Sequence, residues 1–265
     1  MNERAKSRVA FSHMALFAAV SVLALFVVSA LQIYGAFGGV KSGAPTVTAP
    51  ANETSAFSGI DWQAPEPGIA PDGDGLVHVG KNVMDALITS YATLEESGVL
   101  TPETAEDVGL DLAESLRARL IFTTYTAADL ATEDDTSYER MLAYRADMRV
   151  ALEPLLKNGE YELKLFASYQ DTKDQKYIEE LVKTAENYRE AVSLAANVVV
   201  PTDAIDEHLA VLNSLSEFGA TIQALAKYAD DPFAVAALLQ SYGTAESSLM
   251  TSFDALATYQ KKKTS

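Results

Sequence analysis

Cysteine is absent from this 265-residue chain. That excludes disulfides, thiol catalysis, thiolate metal sites and a lipid-modified N-terminal cysteine. Histidine is scarce: His13 lies in an apolar segment, His78 in a proline-rich one, and only His208 in the helical body. A di-iron bundle needs a Glu-x-x-His pair on each of two helices. Ile205 stands three residues before His208, so that chemistry is out. His208 reads as a surface or hydrogen-bonded helix residue. Basic residues are the minority, 20 against 37 acids, for a net charge of −17. Glu3 against Arg4, Lys6 and Arg8 leaves the first eight residues at +2, so the remainder carries −19. Such a surface repels phosphate backbones over about a Debye length. No nucleic acid is expected among the partners, and the charge reads as a device for solubility.

Recognisable catalytic and cofactor motifs are missing too. The body has no nucleophile elbow, no Ser-x-x-Lys and no glycine-rich phosphate cradle. Gly35 to Ser42 approaches a phosphate loop, but Val40 replaces the second motif glycine. Asp72-Gly73-Asp74-Gly75 begins like a calcium loop, yet Leu76 follows and no terminal Glu closes it. Asp129, Glu133, Asp134 and Asp135 cluster before Ser137, either as caps for a helix starting near Tyr138 or as hard ligands for Ca²⁺. No cofactor, no catalytic residue and no metal ligand is assigned. Paired carboxylates could hydrolyse glycosides, but sequence spacing does not pair them.

One long hydrophobic run is present. Between Arg8 and Lys41 there is no formally charged residue, and Met14 to Leu31 is apolar on every face. A helix of that kind is a membrane span or deeply buried. Arg4, Lys6 and Arg8 precede it while only Lys41 follows closely, which keeps the N-terminus cytoplasmic and exports the body. The expectation is a cytoplasmic stub over 1–8 and a signal-anchor helix over 9–37. The alternative is a secreted form, cleaved after Ala30 at Val28-Ser29-Ala30.

Residues 38–78 read as a disordered linker, with Pro45, Pro50, Pro65, Pro67 and Pro71 set among Gly, Ala, Ser and Thr. Trp62, the only tryptophan, lies there with Phe57 and Ile60. Two readings stand: Phe57 and Trp62 contact a partner protein, or they pack onto the chain's own helices.

Beyond Val79 the apolar residues recur at helical spacing. Val83, Leu87 and Tyr91 share a face; Thr101-Pro102-Glu103 opens a helix with the stripe Ala105, Val108, Leu112, Leu116 and Leu120. Ser137 caps the next, and Asp230-Asp231-Pro232 starts the last. The expected fold class is all-α: residues 79–265 form an antiparallel bundle of six or seven helices with short connections. The body's tyrosines are expected to line core edges with their hydroxyls in water, or else to form a groove.

Several phrases carry a resemblance: Tyr125-Thr126-x-x-Asp129-Leu130, Ala143-Tyr144-Arg145-Ala146-Asp147, Val200-Pro201 before His208-Leu209, and Asp230-Asp231-Pro232-Phe233. Together they resemble a group of single-pass helical envelope proteins from small-genome uncultivated bacteria. The resemblance implies a bacterial envelope setting and assigns no catalytic residue. The function expected is a binding or scaffolding module that contacts the membrane through its N-terminal helix and another envelope protein through its body. The alternatives are a cell-wall glycan hydrolase and a solute-binding bundle.

Overall fold

The computed structural model describes residues 57–65 and 73–263. The expected membrane helix over 9–37 lies outside the described residues, as do 38–56 and 66–72 of the expected linker. Among the described residues no helix is long and apolar enough to cross a membrane. The architecture is all-helical, with α1 Val79–Glu96, α2 Pro102–Ser115, α3 Tyr138–Ala151, α4 Glu162–Thr172, α5 Lys176–Ala195, α6 Ile205–Lys227 and α7 Pro232–Lys263. The only strands among the described residues are β1 Thr132–Glu133 and β2 Val200–Pro201, two residues each and paired in parallel. By internal contacts the chain divides into two units: residues to 119 with 231–240, and residues 120–230 with those from 241 on.

In the first unit, α1 buries Val79, Val83, Leu87 and Tyr91, one residue per turn. Thr101 and Thr104 cap α2 reciprocally, each backbone N–H bonded to the other's hydroxyl at 2.9 and 3.3 Å. The helix stops at Ser115, short of the stripe expected to reach Leu120. Tertiary hydrogen bonds take the backbone groups that a longer helix would have used. Ala118 N–H donates to the Ala237 carbonyl at 3.3 Å. The Gln63 side chain accepts from Arg119 N–H at 2.5 Å and donates to the Arg119 carbonyl at 2.9 Å.

Gln63 belongs to the stretch expected to be disordered, and this is the main correction to the domain boundaries. Residues 57–65 and 73–78 are folded onto the helices, with Phe57, Trp62 and Leu76 buried. Asn82 on α1 holds the stretch by donating to the carbonyls of Trp62 at 2.9 Å and Ala64 at 3.0 Å. Gly75 is required here. Its φ is +70°, and a Cβ would sit 2.5 Å from the Gln63 carbonyl oxygen.

In the second unit, Ser137 accepts from Arg140 N–H at 3.2 Å and starts α3. The α5 and α6 helices make the most extensive helix pair. They run antiparallel: a Cβ on Gly219 would lie 3.0 Å from Tyr188, while His208, at the other end of α6, sits beside the Ala195 backbone. Leu181, Ala185, Val211, Leu212, Leu215 and Ile222 form the centre of this core. At the start of α7, Asp231 accepts from the N–H groups of Phe233 and Ala234 at 3.0 and 3.1 Å. The first turns of α7, to residue 240, belong to the first unit and the rest to the second. Most connections are short, as expected, but the one from Leu116 to Ser137 is not.

Candidate functional site

Within that long connection, residues 120–126 form neither helix nor strand, and α6 holds them. Tyr125 N–H donates to the Asn213 side-chain carbonyl at 2.7 Å, and the Asn213 amide donates back to the Tyr125 carbonyl at 3.1 Å. One side chain thus satisfies both main-chain groups of Tyr125, as a neighbouring strand would. Ser216 adds a hydrogen bond to the Thr123 carbonyl at 2.8 Å. Irregular connections beyond about 12–15 residues are uncommon in compact folds and usually functional.

Phe122, Thr123 and Tyr125 wall a groove of about 630 Å³ between α5 and α6, within the range of ligand-binding clefts. Its floor is Ala185, Gly219 and Ala220. Gly219 admits the close approach of Tyr188, 3.0 Å from where a Cβ would sit, and the small Ala220 leaves the groove unfilled. On the rim stand Glu186 and Arg189, and Arg189 has no ion pair among the described residues. Phe122 also borders a second groove of about 550 Å³ between α6 and α7, lined by Ser214, Ser247, Ser248, Thr251 and Ser252. Ile121, next to Phe122, is 78% exposed.

Four tyrosine hydroxyls of the second unit meet acids, a departure from the expectation of hydroxyls in water, while Tyr138 is 44% exposed. Tyr188 donates to Glu162 at 3.1 Å, Tyr161 to Glu246 at 2.9 Å, Tyr169 to Asp230 at 2.9 Å and Tyr259 to Asp203 at 2.9 Å. Asp230 and Asp203 also pair with Lys173 at 3.2 Å and Lys263 at 2.6 Å, whereas for Glu162 and Glu246 the neutral phenols supply the donors. Glu162 is 7% exposed. Burial raises its pKa, the amide at its helix start and the Tyr188 hydroxyl oppose the rise, and Glu246 adds to it. Burial likewise lifts the Tyr161 hydroxyl to about 12. The Tyr242 hydroxyl, in the same cluster, is buried without an aligned partner.

His208 is fully buried, not at the surface, and its Nδ1 shares a 2.9 Å hydrogen bond with the Tyr144 hydroxyl. Its Nε2 has no aligned partner, and burial lowers its pKa to about 4. The acidic cluster before α3 is absorbed locally. Asp129 accepts from Thr126 N–H at 2.8 Å, Asp135 from Ser137 N–H at 2.8 Å, and Glu133 pairs with Arg140 at 2.6 Å. No group of three or more metal-binding side chains occurs among the described residues.

Phe57 and Trp62 are 3% and 4% exposed, with ring centroids 6.0 Å apart. The Trp62 indole N–H donates to the Ser115 carbonyl at 3.2 Å. Of the two readings left open for them, this packing is the one onto the chain's own helices. Sequence reasoning missed the groove and the Asn213 clamp. The available signal was the run Ile121 to Thr126, where helical spacing lapses into β-branched and aromatic residues.

Comparison with protein-family models, with curated proteins and with solved structures yields no match.

Proposed function

We propose that the protein is a membrane-anchored helical binding or scaffolding module of the cell envelope, and that its α5–α6 groove receives an extended segment of a partner protein. The observation that carries this reading is the non-helical wall 121–125, clamped by Asn213 and Ser216 beside a small-residue floor. The main-chain groups of Phe122 and Thr124, which Asn213 and Ser216 do not take, are left for a second, extended chain, and the floor accepts its side chains. The uncharged run from Val9 to Val40 behind Arg4, Lys6 and Arg8 supports the anchor and an exported body.

The test uses the full chain in intact cells, with a photo-crosslinking residue at Gln223, which lines the same groove. It should capture one specific partner, and Ala220→Trp, which fills the groove, should abolish capture without loss of helicity. Capture that survives Ala220→Trp refutes the groove. Protease added outside the membrane should digest the body, and full protection with confirmed access refutes the topology.

A second reading has one observation in its favour: the carboxyl groups of Glu162 and Glu246 approach each other among tyrosines. That arrangement is a starting point for glycan hydrolysis. Turnover of wall fragments that disappears in a Glu162→Gln, Glu246→Gln double variant would establish it.

A further inference from the structure

The α3 helix buries one narrow stripe, Met141, Tyr144, Met148 and Ala151. Its other side exposes Leu142, Arg145, Ala146, Arg149 and Val150. These lie at i, i+3, i+4, i+7 and i+8, a continuous face. Leu142 is 42% and Val150 61% exposed, and Leu156 just beyond the helix is 84% exposed. Arg145 and Arg149 have no ion-pair partner among the described residues, in a chain where acids are in large excess. Arg140, on the same helix, shows the alternative by pairing with Glu133. An exposed apolar stripe rimmed by charge marks an interaction surface.

The complement of this face is on the same sequence. The α2 helix buries Ala105, Gly109, Leu112 and Ala113 and exposes Glu103, Glu106, Asp107, Leu110 and Glu114. Leu110 is thus one apolar side chain with carboxylates a turn before and a turn after it. Glu106, Asp107 and Glu114 form no ion pair among the described residues. Arg145 and Arg149 are spaced by about 6 Å along their helix, and the acids straddle Leu110 by about 5–6 Å each way. A leucine seated over Ala146, between Leu142 and Val150, brings those acids within reach of both guanidiniums.

We propose that the exposed face of α3 docks on α2 of a second copy of this chain, with Leu110 over Ala146 and with Arg145 and Arg149 paired to Glu106, Asp107 and Glu114. Charge complementarity selects the occupant, because this chain carries both halves of the pattern. Long-range repulsion between two acidic bodies opposes the contact at low salt and is screened within about 8 Å at physiological ionic strength.

The absence of cysteine makes the contact directly testable. Leu110→Cys and Ala146→Cys each introduce the only thiol of a full chain. The two variants are mixed in neutral detergent at about 0.15 M salt and mildly oxidised. The Leu110→Cys/Ala146→Cys disulfide should form in excess of either homodisulfide and of a control pairing with Met250→Cys, a surface position on α7. In sedimentation, a chain with Arg145→Glu and Arg149→Glu should lose its self-association, and so should one with Glu106→Lys and Glu114→Lys. Mixing the two should restore it, since each now carries the other's complement. Circular dichroism checks that both remain helical. A mixed disulfide no more frequent than the control, or a mixture that stays monomeric, overturns the proposal.

Discussion

The two units solve one problem, how to hold a non-helical stretch against helices, with different chemistry. In the first, amide and indole side chains do it, with Gln63, Asn82 and Trp62 all bonded to backbone carbonyls. In the second, Asn213 does the same for Tyr125, but four further long-range contacts join a tyrosine to an acid. Amide clamps are indifferent to pH. Phenol–carboxylate pairs and the buried His208 are not. The second unit should therefore carry most of the chain's pH dependence.

The largest effects should come from the two cores. Trp62→Ala removes the ring that packs on Phe57 and bonds Ser115, and should cost about 3–5 kcal/mol. Leu212→Ala, at a site with no exposure, should cost about 2–5 kcal/mol. Urea unfolding followed by circular dichroism measures both. In the Leu212 variant, Trp62 fluorescence reports the first unit separately, and an emission midpoint that stays put would show that the units unfold independently.

Next in size is the response to acid. His208 has a folded pKa of about 4, below the ordinary 6.5, so between those values the unfolded chain takes up the proton first. Stability should then fall as pH drops from about 6.5 to about 4, by roughly 3 kcal/mol over the full window. His208→Gln cannot titrate and should flatten that slope. Urea midpoints at several pH values decide it, and an unchanged slope would place the acid sensitivity elsewhere.

Smaller still is the loss of single phenol donors. Tyr188→Phe leaves the buried Glu162 carboxyl without its hydroxyl and should cost about 1–3 kcal/mol. Tyr169→Phe, whose partner Asp230 is 72% exposed, should cost about 1 kcal/mol or less, since water replaces the donor. Equal costs would remove the distinction between buried and exposed pairs.

The smallest expected effect has the opposite sign. The folded pKa of Glu162 is raised by burial, so its contribution is fully present below about 4.5 and is lost as pH rises through the folded value. Glu162→Gln stays neutral and still accepts from Tyr188. It should be more stable than the natural chain at pH 8, with the difference closing near pH 4. A variant that is less stable at pH 8 would mean that the ionised carboxylate has a compensating partner.

The sequence by itself determined the helices and most of their starts. Thr101-Pro102, Ser137 and Asp231-Pro232 are local signals whose energetics depend on a few adjacent residues. Apolar spacing likewise located the buried faces of α1 and α6. Tertiary structure alone decided that residues 57–65 fold, that α2 stops at Ser115 and that residues 121–125 run without helix against α6. In each case side chains distant in sequence, Gln63, Asn82 and Asn213, satisfy backbone groups that local structure leaves open. The same holds for the tyrosines. Their number was legible, but whether a hydroxyl meets water or Glu162, 26 residues from Tyr188, depends on which helices pack together, and no local pattern encodes that.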